Sequence, residues 1–207
     1  MRENVKHVYL ERLKQNLFAR GIEADTLNAG LPGNSTEDAR KRFINDVVAF
    51  HPDIVIIQFG INDSAVDVWK EPPADKPRVE QDKYEENIRY FIRTLKTQNS
   101  VPILMTPNPL RWTPMTKKMY GKPPYRSDDS DGFNVLLKDY AKCVRKISRQ
   151  TKILLIDVYK AFYDYWDSKG KDDLLLDGMH PNDKGHKLIA ELLTEEVVKL
   201  IKMGKKL

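Results

Sequence analysis

The sequence has little of what several kinds of site and membrane anchor require. It contains a single cysteine, Cys143, which excludes an internal disulfide and a zinc site built on cysteines. No apolar run approaches the roughly 20 residues that a membrane-spanning helix needs, and Met1 to Gln15 are too charged for a signal peptide. We therefore expect a soluble protein in which Cys143, set in a helical pattern, is a small core residue.

The positive charge is not organised for nucleic-acid binding. The net charge of +5 arises from 35 basic and 30 acidic residues that are spread along the chain, apart from a small cluster at Lys202, Lys205 and Lys206. A nucleic-acid surface calls for a basic stripe with interleaved aromatic residues or a recognisable module, and the sequence contains neither. We expect the lysines to form a solvated surface, and we expect no nucleic-acid partner.

Short apolar runs alternate with helical patterns along the chain, which favours one α/β domain over residues 1–207 with a parallel sheet covered by helices. A first helix is predicted from about Val5 to Leu17, and Ser35 to Asp38 has the form of a capping box that opens a second one. The predicted strands are Glu23 to Asn28, Asp53 to Phe59, Val101 to Thr106 and Lys152 to Val158. Later helices are predicted over 81–98 and 133–150 and from about Asn182 onward, with a long loop from Asn108 to Gly132.

The loop Asp177-Gly178-Met179-His180-Pro181-Asn182 is the strongest chemical signal in the sequence. It sets a carboxylate and an imidazole three positions apart, just before the closing helix. A histidine base needs a partner that fixes its tautomer and stabilises the imidazolium, and a nearby aspartate supplies one. The alternative for an isolated D-x-x-H is a surface turn in which Asp177 accepts backbone hydrogen bonds and His180 is solvated.

Two further loop residues follow predicted strands. Gly33 comes after the first strand and Asn62 after the second, and the carboxyl edge of a parallel sheet is where sites form. A glycine in a tight turn before a helix exposes its backbone N–H to an anion, and an asparagine amide donates a second hydrogen bond. Gly33 and Asn62 are therefore predicted to form an oxyanion hole, with His180 as base and Asp177 as its orienting group.

No metal or organic cofactor is indicated. His186 lies six residues after His180 within the closing helix, and this spacing is not the i,i+4 arrangement usual for zinc ligands on a helix. We expect His186 to be a surface or helix-packing residue.

Three motifs in this order resemble the SGNH, or GDSL-type, hydrolase superfamily. N-A-G-L-P-G-N-S-T carries the glycine of that family at Gly33, F-G-I-N-D carries its asparagine at Asn62, and D-G-M-H-P-N carries its Asp–His pair at Asp177 and His180. The resemblance implies a flavodoxin-like three-layer α/β/α fold with strand order 2-1-3-4-5. It also implies serine-dependent hydrolysis of small-molecule or carbohydrate esters without a cofactor, with oxyanion donors from the serine and glycine N–H groups and the asparagine side chain.

The sequence departs from this family at the nucleophile. No Gly-Asp-Ser occurs, and the first strand that would carry it is not evident. Ser35 is better explained as a helix cap, Ser64 has no strand–turn–helix elbow to present it, and Ser127 and Ser130 resemble turn residues. We expect an N-terminally incomplete version of a longer protein, with the serine upstream. A natural paralogue that has lost the nucleophile or borrows a strand remains an alternative.

If that strand is missing, Glu23 to Asn28 and Asp53 to Phe59 should flank a slot of roughly 9–10 Å, twice the usual strand spacing. Asp63, Ser64 and Trp112 are further candidates for the substrate pocket. Asp63 alternatively holds its loop, and the aromatic residues Trp69, Trp112 and Tyr120 either stack on sugar rings or pack their loops onto the body. The predicted function is an ester hydrolase; the alternative is a non-catalytic glycan or ester binder on the same scaffold.

Overall fold

The sheet consists of three parallel strands in the order β1-β2-β3 in the computed structural model, which describes residues 5–169 and 174–203. The strands are β1 (Ile54–Gln58), β2 (Val101–Met105) and β3 (Leu154–Ile156). Ile54 of β1 pairs with Val101 of β2, and Ile103 of β2 pairs with Leu154 of β3. These are the three later strands that the apolar runs predict. Strands β1 and β2 are one or two residues shorter than expected, whereas β3 has three residues where seven were predicted.

Eight α-helices accompany the strands in the described part of the chain. They are α1 (Tyr9–Phe18), α2 (Thr36–Asp46), α3 (Ile61–Ser64), α4 (Gln81–Thr97), α5 (Pro114–Tyr120), α6 (Leu137–Thr151), α7 (Val158–Lys169) and α8 (Asp183–Lys202). Helix α2 begins at the predicted cap, because Ser35 accepts a hydrogen bond from the Asp38 N–H and its own N–H donates to the Asp38 carboxylate. None of these helices combines the length and apolar character needed to cross a bilayer.

The helices lie on both faces of the sheet and give three layers. Ile103 and Met105 of β2 point to one face, where they pack with residues of α1, α7 and α8. Leu104, between them in sequence, points to the other face and packs with α2, α4 and α6. This alternation follows from the period-2 geometry of a strand. Cys143 is 3% exposed in the second layer, which confirms that it is a core residue.

The predicted strand from Glu23 to Asn28 is wrong, because residues 22–31 have no regular secondary structure. A strand is held by a ladder to a neighbour, and in the described residues β1 is paired only with β2. Ile54, Val55 and Ile56 are apolar on both faces yet only half-buried. The apolar sequence of β1 is that of an internal strand, whereas its position is at the edge of the sheet.

The expected spacing of 9–10 Å between Glu23–Asn28 and β1 cannot be measured, because Glu23 to Asn28 does not form a strand. Glu23 to Asn28 is not paired with β1 either, so the inferred strand order is not contradicted. An open groove of about 870 Å³ lies between α1 and residues 23–26.

Three helices were not predicted: α3, which follows Gly60 at the end of β1, and α5 and α7. Helix α5 lies within the predicted loop from Asn108 to Gly132, where Thr113 caps it and Pro114 occupies its first position. A capping threonine and a proline at the first position are standard signals for the start of a helix. The segment that follows them is short and weakly apolar, so its pattern does not predict a helix. Helix α7 directly follows β3 and buries Phe162 and Trp166.

Candidate active site

The Gly33 loop is a tight and exposed turn. Leu31-Pro32-Gly33-Asn34 has proline second and glycine third with a φ of +80°, and the Asn34 N–H donates to the Leu31 carbonyl at 3.2 Å. This is the sequence and hydrogen bond of a type II turn, in which the third residue needs a positive φ. Gly33 is exposed, and its N–H has no hydrogen-bond acceptor in the described chain.

Asn62 follows a second glycine turn at the carboxyl end of β1. Gly60 has a φ of +129°, and a side chain there would approach Pro107 at 3.2 Å. The turn leads directly into the short helix α3, whose first residues include Asn62. The Asn62 amide Nδ2 donates to the Asn34 carbonyl at 3.0 Å, so it lies beside the residue that follows Gly33. The predicted pair of oxyanion donors is thus brought together.

Asp63 holds these two loops in place. It is fully buried, and its Oδ1 accepts hydrogen bonds from the Thr36 backbone N–H at 2.8 Å and hydroxyl at 2.6 Å. Its Oδ2 accepts from the Gly60 N–H at 3.1 Å. Burial raises the pKa of Asp63, while the hydrogen bonds from Thr36 and Gly60 oppose that rise. A carboxylate at the start of α2 is also favoured by the helix dipole.

Asp177 and His180 form the predicted pair. His180 Nδ1 lies 2.9 Å from Asp177 Oδ2 and 3.0 Å from Oδ1. Asp177 Oδ1 also accepts hydrogen bonds from the backbone N–H groups of Met179 and His180, at 3.1 and 2.9 Å. The carboxylate therefore fixes both the loop and the ring that it faces.

The loop after β2 anchors the Asp177–His180 loop to the sheet. The Asn108 side chain donates to the Met179 carbonyl at 2.9 Å, and the Arg111 N–H donates to the Gly178 carbonyl at 2.8 Å. Gly178 has a φ of +84°, and a Cβ on it would lie 2.4 Å from the Arg111 carbonyl. Only glycine combines a positive φ with the absence of a Cβ, so Gly178 is needed where the two loops come close together.

The pKa of Asp177 reflects this local cage. Its burial raises the pKa, but the hydrogen bonds from His180 and Met179 outweigh burial and lower it from an ordinary 3.8 to about 2. Because the folded-state value lies below the unfolded one, Asp177 stabilises the fold above about pH 4. That stabilisation is lost as the pH falls towards 2.

We expect Asp177→Asn to lower the free energy of unfolding by about 1–3 kcal/mol at pH 7, because it breaks hydrogen bonds to a half-buried charge. At pH 2 the wild-type carboxyl is about half protonated in the folded protein, so most of the difference between the two proteins should be lost. Urea unfolding at both pH values measures this. Asp164→Asn is the control, since Asp164 is exposed and pairs only with Lys160 in the described residues. A difference for Asp177→Asn that does not change with pH would contradict the assignment.

A small cavity connects the Asn62 region with the Asp177–His180 loop. Its volume is about 50 Å³, and Asn62, Ser64 and Met179 are among the residues that line it. Of the three side chains predicted near the substrate pocket, Ser64 alone lines this cavity. Asp63 is turned towards α2, and Trp112 stacks on Phe133 with 4.4 Å between ring centroids. Trp112 also donates its indole N–H to the Asp129 carbonyl at 2.9 Å, so it packs its loop onto the body.

The other candidate residues have local structural roles. Ser35 caps α2, and the Ser64 hydroxyl lies 3.4 Å from the Ile61 carbonyl. His186 is half-buried, and its Nδ1 accepts from the Tyr9 N–H at 3.3 Å. Burial lowers its pKa to about 4, in keeping with a helix-packing histidine. No group of three or more His, Cys, Asp or Glu side chains in the described residues could hold a metal ion.

Three contributors to the site were not predicted from the sequence. They are Asn108, Arg111 and Arg78, the last of which contacts Asn62. Asn108 follows the end of a predicted strand, as Asn62 does, and this position could have marked it as a site residue. Nothing in the local sequence distinguishes Arg78 from other surface arginines.

Residues 4–188 match the GDSL-like lipase/acylhydrolase family. The chain is 30% identical over 177 residues to the uncharacterized lipoprotein YqeF of Bacillus subtilis, a match that covers 81% of this chain and 71% of that protein. It is 28% identical over 174 residues to an acetylxylan esterase of Geobacillus stearothermophilus, with 83% and 71% covered.

Solved structures show the same fold. A structure of the Geobacillus acetylxylan esterase aligns with a TM-score of 0.74 at 26% identity, over 92% of this chain and 81% of that chain. A lipase/acylhydrolase from Enterococcus faecalis aligns with a TM-score of 0.70 at 26% identity, over 92% and 84%.

Structures of catalytic mutants of the Geobacillus enzyme replace a serine, an aspartate or a histidine by alanine. The mutated aspartate and histidine are three positions apart in that enzyme, as Asp177 and His180 are here. Because the family model matches most of this chain, the chain belongs to the GDSL-like lipase/acylhydrolase family. Its fold and its esterase relatives support an ester hydrolase of that type.

Proposed function

We propose that this site serves a serine-dependent esterase that removes acetyl groups from carbohydrate esters. The observation that carries the proposal is the Asp177–His180 pair, held by hydrogen bonds of 2.9 and 3.0 Å on a loop that shares a small cavity with Asn62. The acetylxylan esterase relative supports the substrate class.

In the proposed reaction, His180 acts first as base and then as acid. With Nδ1 directed at Asp177, Nε2 removes the proton from a serine hydroxyl as its oxygen attacks the ester carbonyl. The tetrahedral oxyanion accepts hydrogen bonds from the Gly33 N–H and from Asn62 Nδ2. The alcohol leaves with the proton from His180, and water then hydrolyses the acyl-serine with His180 again as base.

We propose that the serine is supplied by a strand that pairs with the free edge of β1 and lies outside the described residues. Ser35 bonds Asp38, Ser148 donates to the Ile153 carbonyl and Ser168 to the Tyr165 carbonyl, so none of these three is an activated nucleophile. The half-buried apolar faces of β1 support a further strand there. A strand at this edge would end near Gly33 and Asn62, at the carboxyl side of the sheet.

The cavity beside Asn62 supports a short acyl group. Its 50 Å³ compares with the roughly 10–15 Å³ that one water occupies on the same measure, so it holds only a few heavy atoms. Its walls include Leu110, Tyr120 and Phe133, which are buried and packed against one another. An acetyl group fits such a space, whereas a butyryl group requires room for two more methylene groups.

For experiments on catalysis we define the serine-extended chain, in which a strand ending in Gly-Asp-Ser precedes residue 1. It should prefer p-nitrophenyl acetate over the butyrate by at least about tenfold in kcat/KM, since one surplus methylene costs roughly 1–3 kcal/mol of discrimination. Leu110→Ala should narrow that preference by enlarging the cavity. Leu193→Ala is the matched control, because Leu193 is a buried leucine in α8 that does not line the cavity, and it should leave the ratio unchanged. A chain that prefers butyrate would refute the short-acyl assignment.

A second candidate is a non-catalytic binder of acetylated glycans on the same scaffold. The observation in its favour is that Ser35, Ser148 and Ser168 are each hydrogen-bonded to a residue three to five positions away. It predicts that acetylated xylo-oligosaccharides bind to the serine-extended chain without release of acetate. Acetate release by that chain decides for the esterase.

A further inference from the structure

Arg78 connects the proposed oxyanion donor to a buried carboxylate. Its Nη1 donates to Asn62 Oδ1 at 3.2 Å, and its Nε and Nη2 donate to Asp67 at 3.1 and 2.7 Å. Asp67 is 3% exposed and also pairs with Lys70 at 2.8 Å. Two cations thus surround one carboxylate, which leaves a net positive charge next to the Asn62 amide.

The backbone around Arg78 is attached to the segment that carries Asn62. The Arg78 N–H donates to the Ala65 carbonyl at 3.0 Å, and the Val79 N–H donates to the Asp63 carbonyl at 3.0 Å. The guanidinium therefore starts from a fixed position and is further held by its paired bonds to Asp67. Because the Arg78 backbone and guanidinium are both held, the side chain loses little conformational freedom when it forms one more hydrogen bond, to Asn62.

These contacts determine which way the Asn62 amide faces. Arginine carries only donors, so Arg78 selects the Oδ1 end, and the Asn34 carbonyl accepts only, so it selects the Nδ2 end. Nδ2 carries two hydrogens, and one of them is used by Asn34. The second N–H has no acceptor in the described chain.

We propose that Arg78 is a positioning residue of the active site, which holds Asn62 with one N–H available to the oxyanion and strengthens that N–H as a donor. This inference rests on the proposed function and adds a residue to it. A guanidinium on the amide oxygen draws electron density from the nitrogen, because hydrogen bonds in a chain polarise one another. Arg78 also lines the small cavity beside Asn62. The role proposed for it is exerted through the Asn62 amide.

The first test needs no catalysis. In the 207-residue chain, Arg78→Met should raise the solvent-exchange rate of the Asn62 side-chain N–H groups, measured by NMR, at least several-fold, and Arg78→Lys should raise it less. Arg145→Met is the matched control, because Arg145 forms a comparable two-bond pair with Asp157 at 2.7 and 2.9 Å away from Asn62. Equal exchange in wild type and Arg78→Met would overturn the positioning role, whether or not the protein is an esterase.

The second test uses kinetics of the serine-extended chain. Arg78→Met should lower kcat by about 10–100-fold with little change in KM, which is less than the roughly 10²–10³-fold cost of removing an oxyanion donor outright. Arg78→Lys should recover part of the loss, and Arg145→Met should retain wild-type kcat. In an Asn62→Ala background, Arg78→Met should cost nothing more, since coupled residues are non-additive. A full additional loss in that background, or a change in KM alone, would overturn the proposal.

Discussion

The serine-extended chain should hydrolyse p-nitrophenyl acetate, whereas the 207-residue chain alone should show little or no turnover. The reason is that Gly33, Asn62 and His180 are already held by the fold, and the proposed nucleophile is the serine on the added strand. The added strand can pair with the edge of β1 that has no partner strand in the described part of the chain, where Ile54 and Ile56 are only half-buried. Initial rates of p-nitrophenol release measure the difference.

The control for this prediction is the same extension with alanine in place of its serine. It should fold with the strand in place and remain inactive, which separates the chemical role of the hydroxyl from the structural role of the strand. Turnover by the 207-residue chain that is abolished by Ser64→Ala or Ser35→Ala would show that a local serine serves instead. The nucleophile would then have been misplaced.

Replacing His180 by alanine in the serine-extended chain should lower kcat by about 10⁴-fold or more, the scale found when a member of such a triad is removed. The fold places a ring nitrogen of His180 2.9 Å from the Asp177 carboxylate. Steady-state kinetics on p-nitrophenyl acetate provide the measurement.

His186→Ala is the matched control for the His180 variant. His186 lies six positions further on, in α8, and contacts the backbone of Tyr9 rather than Asp177. Its replacement should reduce stability through lost packing but leave kcat within a few-fold. A His186 variant as inactive as the His180 variant would indicate that the assignment of the base is wrong.

The parts of the site that could be predicted are those fixed by local sequence. A Pro-Gly pair predicts its own turn, so the Gly33 loop follows from four residues. The D-x-x-H spacing gives the Asp177–His180 contact, because the carboxylate caps the N–H groups of the loop that carries the ring. The Ser35 cap and the apolar run of β1 are of the same kind.

The parts that could not be predicted depend on contacts between distant segments. Glu23 to Asn28 has a strand-like sequence, but without a partner at the edge of β1 it forms no ladder. Arg78 reaches Asn62 only because the backbone on either side of it is bonded to the segment 63–65. The sequence does not distinguish whether Trp112 stacks on a sugar ring or packs its loop onto the body. In the structure it stacks on Phe133.

The most direct measurement is covalent labelling of the nucleophile by a fluorophosphonate, which transfers its phosphoryl group to an activated serine as fluoride leaves. After incubation, intact-mass and peptide mass spectrometry locate the adduct. We predict one adduct on the added serine of the serine-extended chain, lost in its His180→Ala variant, and none on the 207-residue chain. An adduct on Ser35, Ser64 or another internal serine, or labelling that survives His180→Ala, would contradict the account.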